Sequence, residues 1–140
     1  MQANVVPRHQ IIESLTARSA DKVADAAITL WAQMAVQIIS IVGEGGFNSL
    51  YARSIHLTQP TCPWLPASSL SPQSDHRFAK LRLSLESQTP AQATEANRLL
   101  LLTFTDILAS LIGEQLTTRI LRSAWDIDAP DQASKEINNE

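Results

Sequence analysis

An uncharged run restricts this chain more than any other feature. Between Asp25 and Glu44 lie 18 residues, Ala26 to Gly43, without one charged side chain. Apolar residues recur there at intervals of three and four: Val23, Ala27, Leu30, Met34, Ile38, Ile41. That is the period of a helix, and the alanines at 24, 27, 32 and 35 raise its propensity. Such a helix either crosses a membrane or is surrounded by protein. A span needs roughly 17–25 residues, so this run stands at the short edge. Thr29, Gln33, Gln37 and Ser40 also place polar groups along one side. A second uncharged run, Leu99 to Thr105, is closed by Asp106. An acid near mid-span costs about 2.5–3.5 kcal/mol. The expectation is therefore two helices buried in protein, with no membrane insertion.

The rest of the chain reads as helices between breakers. A first helix is predicted over 11–42, with Ser19 to Asp21 able to mark a fresh start inside it. Gly43, Gly45 and Gly46 are three of the chain's four glycines, and a helix should end or bend there. A shorter helix follows over about 47–58. Pro60, Pro63, Pro66 and Pro72 forbid a helix through 59–74. Asp75 can cap a third helix over 76–87. Thr89 followed by Pro90 opens a long fourth helix over 90–125, with a bend expected at Gly113. No strand pattern of period two is found. The prediction is an all-α fold: a four-helix bundle-like domain over 1–125 with two long and two short helices, and an acidic, flexible C-terminal tail over 126–140.

An internal repeat accompanies this pattern. Ser40-Ile41-Val42-Gly43-Glu44 is matched by Ser110-Leu111-Ile112-Gly113-Glu114, an offset of 70 residues. It raises a duplicated helical pair, which by itself implies architecture and no chemistry.

Several function classes drop out. One cysteine, Cys62, excludes an internal disulfide framework, and a net charge of −3 argues against a nucleic-acid binder. No metal-ligand pairing joins His9, His56 or His76 to other ligands at helical spacing, and no nucleophile-elbow, Walker or dinucleotide pattern is present. The expectation is no catalytic residue, no metal and no cofactor. Met1 to Glu13 carries no basic stretch followed by an apolar core, which with the lone thiol points to the cytoplasm.

Three groups remain as candidates. Gln33 and Gln37 on the first long helix, and Thr103 and Asp106 on the last, would line a polar pocket if the helices turned those stripes inward. An unpartnered buried Asp106 would have a raised pKa. Glu44, Arg53, Glu114, Arg119 and Arg122 could form an ion-pair cluster around the two Gly-Glu corners, with Arg122 also placed to meet Asp126. Trp64 and Leu65, braced by Pro63 and Pro66, could dock a partner or plug the bundle end.

The tail holds five acids and one lysine, which leaves ten basic and nine acidic residues in 1–125. A nearly neutral body with two greasy helices has surplus apolar surface, the mark of an interface. The expectation is a non-catalytic cytoplasmic interaction or regulatory module that forms a homodimer and meets a further protein partner. The alternative is a small-molecule binder or enzyme with its pocket inside the bundle. In outline the chain resembles small helical proteins of bacterial signalling systems, with no motif matched residue by residue.

Overall fold

A computed structural model describes residues 8–17, 23–65 and 78–125. These residues form five helices, α1 (Arg8–Ala17), α2 (Val23–Thr58), α3 (Ala79–Glu86), α4 (Pro90–Ile112) and α5 (Glu114–Ala124). The described residues contain no strand. The described fold is all-helical, as the periodicity predicts.

The helix boundaries differ from expectation where glycine decides them. α2 runs through Gly45 and Gly46 and is broken only at Gly43, with φ 84° and ψ 163°. The predicted single helix over 90–125 is two helices, because Gly113 adopts φ 99° and ψ 150°. That region of backbone space is closed to residues with a Cβ, so each break depends on glycine. α3 begins after Phe78, later than expected, and the predicted cap Asp75 lies outside the described residues. So do Ser19 to Asp21, and the tail from Asp126 onward. α4 starts as expected. The Thr89 hydroxyl accepts from the Gln92 N–H at 3.1 Å, Gln92 reaches back to the Thr89 N–H, and Pro90 occupies the first turn.

α2 and α4 form the central pair, α1 lies on α4, and α3 lies on α2. Both short helices run antiparallel to their supports. Arg8 meets Thr105 and Asp106 while Glu13 meets Arg98. Likewise Phe78 meets Trp31 while Arg82 meets Asp25.

The core is aromatic at its centre. Trp31 is fully buried and makes edge contacts with Tyr51 and Phe104, at centroid distances of 5.5 and 5.3 Å. Phe47 packs on Phe104 at 5.2 Å and on Phe78 at 6.1 Å. The Trp31 indole N–H donates to Asn97 Oδ1 at 2.9 Å, which satisfies both buried polar groups. Burial drives the Tyr51 phenol well above its ordinary pKa, so it is a neutral core residue. Leu65 is buried and Trp64 packs half-buried on the core.

The 70-residue offset extends beyond a five-residue stretch with three identities. Gly43 and Gly113 share one uncommon backbone conformation. Three residues before each, the Ser40 and Ser110 hydroxyls donate to the carbonyls of Gln37 and Ile107, both at 2.6 Å. Trp31 and Leu101, Met34 and Phe104, Ile38 and Leu108, Phe47 and Thr117 are buried at matching positions. Residues 8–17 correspond to 78–87, the neighbourhood of α3. In these terms each short helix packs on the long helix of the opposite half.

Candidate functional site

The densest polar constellation in the described residues is built around Arg8, in the first turn of α1. A cation there opposes the helix dipole and needs acids to hold it. Its side chain is 8% exposed. It donates through Nε and Nη2 to the two oxygens of Glu114, both at 2.9 Å. Nη1 donates to Thr105 Oγ1 at 2.9 Å and to Asp106 Oδ1 at 2.5 Å. His9 Nε2 lies 2.7 Å from the same Asp106 oxygen. Thr105 also donates to the Leu101 carbonyl at 2.8 Å, so its hydroxyl is used in both directions. The bidentate geometry at Glu114 is the strong form of an arginine–carboxylate pair.

Electrostatics follow from that geometry. Partial burial alone would raise the Asp106 pKa, and the hydrogen bonds from His9 and Arg8 more than reverse it, leaving a lowered value. Arg8 likewise holds the Glu114 carboxyl below its usual range. Burial works against the charge on Arg8, yet its two carboxylates raise its pKa above the ordinary value. Arg8, Asp106 and Glu114 are thus ionised together and tie α1 to both sides of the Gly113 break.

This arrangement relocates several predicted roles. Asp106 is half-exposed, at 50%, and its carboxylate is held by Arg8 and His9. It is not an enclosed acid, and its pKa moves down where an enclosed one would move up. Gln33 is exposed, and Gln37 and Thr103 are half-buried on outward stripes. The three described clefts are lined elsewhere. One of about 300 Å³ lies among Val23, Asp25, Leu85, Glu86, Gln88 and Pro90. Two others, of about 400 and 380 Å³, run along Glu114, Gln115 and Arg119.

Within the predicted ion-pair cluster, Glu114 pairs with Arg8 and makes no ion pair with Arg119. Arg53, Arg119 and Glu44 are exposed. Arg122 is half-buried with its Nε lacking a partner among the described residues, and its expected partner Asp126 lies outside them. Leu65, 4% exposed, is inside the core and is not presented to a partner, because the turn over 59–65 folds it inward. Cys62 is 6% exposed, and burial pushes its thiol pKa up, away from reactivity. Among the described residues no group of three His, Cys, Asp or Glu side chains is placed to hold a metal ion.

The apolar surplus is directly visible. Val36 is 70% exposed, Leu111 66%, Leu83 65% and Ile41 50%. By length and hydropathy α2 is apolar enough to cross a membrane, and 28% of its most apolar 18-residue window is buried. Compared with protein-family models, with curated proteins and with solved structures, the chain matches none.

Proposed function

We propose that this chain is a non-catalytic cytoplasmic interaction module, a regulatory bundle of two related helical halves that works as a homodimer and meets a further protein partner. The carrying observation is the set of large apolar side chains left in water, Val36, Leu83, Leu111 and Ile41. Fully burying one such side chain contributes about 1.5–3 kcal/mol, so the four most exposed of them represent a strong drive to associate. The conspicuous polar cluster supports the same reading. Every donor of Arg8 that it uses is directed at the chain's own acids and at Thr105. Such a group braces helices.

A duplicated helical pair would fit this proposal. Light scattering on the purified chain at micromolar concentration tests the reading, with a dimer expected in detergent-free buffer. A monomer across that range overturns it, and so does a requirement for detergent to keep the chain in solution.

A further inference from the structure

A single residue, Gly113, separates α4 from α5. The space around it is open, since a Cβ built there would meet nothing within 4 Å. Glycine inside a helix is disfavoured relative to alanine by less than about tenfold. The rotation of one residue therefore decides whether α4 and α5 are two helices or one. In the present form α5 folds back. The Trp125 indole N–H donates to the Leu30 carbonyl at 2.8 Å, and the adjacent Trp31 donates to Asn97 at 2.9 Å. The end of α5 thus lies level with the first half of α4.

Arg8 distinguishes the two forms. Its one guanidinium bonds Asp106 before the break and Glu114 after it. In a continuous helix those two residues would stand about 12 Å apart along the axis and about 80° apart around it. One guanidinium does not span that separation. Straightening therefore strips the Glu114 pair from a side chain that is 8% exposed. Both bonds to Glu114 are charge-assisted, and their loss weighs against the continuous helix by about tenfold to a hundredfold. The Gly43 break has no counterpart. The positions 70 residues before Asp106 and after Arg8 are Val36 and Phe78, and neither carries a charge. That break is held otherwise, because Phe47 and Tyr51 beyond it are buried in the aromatic centre. α5 sends no side chain there and is anchored by Thr117, Thr118, Ile120 and Leu121, with Trp125 at its end.

We infer that Gly113 is a hinge at which two copies of this chain exchange α5, and that Arg8 is the latch that keeps α5 on its own chain. Opening in an isolated chain leaves Ile120, Leu121 and Trp125 in water, which is unfavourable. Exchange restores those contacts, because a second copy offers the same surface of α2 that α5 covers here. The partner is thus specified by contacts the structure shows: α5 of a second copy replaces α5 of the first. Short connections between packed elements invite this exchange. The hinge itself adds to it. Leu111, 66% exposed, and Leu116, 37% exposed, flank the break on its two sides. In the exchanged pair the two hinge regions meet at the two-fold axis, where these side chains are covered. The exchange goes beyond the homodimer reading and does not depend on it, since the latch acts on the shape of one chain.

The test reads a distance within one chain. Spin labels are placed at Ala91→Cys and Ser123→Cys, both exposed sites, in a Cys62→Ala background. Labelled chain is mixed with an excess of unlabelled chain and the label separation is measured by pulsed electron resonance. A continuous helix separates the labels by about 48 Å, and the folded-back form by about 20–25 Å, two helix diameters with a short offset. With Arg8 in place the short distance alone is expected. Arg8→Met should keep its helical circular dichroism and add a population near the long distance that grows with protein concentration. Arg82→Met, which removes the cation between α3 and α2, should keep the short distance. A short distance alone in Arg8→Met at every concentration overturns the latch, as does a long distance with Arg8 present or in Arg82→Met. A long population that ignores concentration overturns the exchange. If Arg8→Met fails to fold, Arg8→Lys keeps the charge without the two-pronged pair. A smaller concentration-dependent long population is then expected, and its absence contradicts the proposal. The mass of the wild-type chain, which decides the homodimer reading, enters none of these outcomes.

Discussion

Arg8 shows how burial decides which side of an ion pair is costly to remove. Its two carboxylate partners are half-exposed, whereas the guanidinium is not. Removing the arginine lets both acids rehydrate, and Arg8→Met should cost within about 1 kcal/mol at pH 7. Removing the acids instead strands a buried cation, so Asp106→Asn with Glu114→Gln should cost about 3 kcal/mol. Urea midpoints of the two variants test that order. The pH dependence has a definite sign. Both carboxylates titrate below their ordinary values when folded. Their contribution is complete above the unfolded values near pH 4 and is lost as pH falls through the lowered folded values. Wild type should therefore lose stability steeply below about pH 4, and Arg8→Met should flatten that acid limb.

Part of this site was legible in the sequence. Asp106 stood out by interrupting an apolar run, and Glu114 stood out by following the repeated glycine. Their partner did not, because Arg8 lies 98 and 106 residues away and no local spacing connects them. One signal was available: a basic residue shortly before Ile11 and Ile12, at a helix start where the dipole favours acids.

Among the helices, the glycines make the sharpest claim. A Cβ at Gly43 or at Gly113 would meet nothing within 4 Å, so any penalty comes from the backbone alone. Alanine at either position should cost about 1–3 kcal/mol, and the two costs should agree closely because the conformations do. At Gly46 the obstacle is different. An added Cβ would lie 3.1 Å from two Val42 atoms, and a few tenths of an ångström of movement relieves it. Gly46→Ala should be the mildest of the three by thermal melting.

The sequence located both breaks because glycine is scarce here and repeats before Glu. It misjudged the character of the second. A bend expected at Gly113 is a complete change of helix, since an extended ψ cannot be continued as a helix. Trp64 shows a complementary limit. Prolines mark its segment as rigid, but only the fold reveals that Leu65 enters the core and Trp64 lies against it. Trp64→Ala should lower stability by about 1–3 kcal/mol through that lost contact, measurable as a reduced denaturation midpoint.

For the molecule as a whole, composition foretold helices and surplus apolar surface, whereas the location of that surplus needed three dimensions. Residues Val36 and Asp106 are equivalent in the repeat, yet one is bare and the other is held by Arg8 and His9. That difference between positions 70 residues apart shows where the exposed apolar surface lies. Sedimentation equilibrium of the wild-type chain at micromolar concentration, in detergent-free buffer at physiological salt, tests the central claim most directly. The account predicts twice the 15.3 kDa mass of one chain. A single-chain mass throughout the concentration range would contradict it.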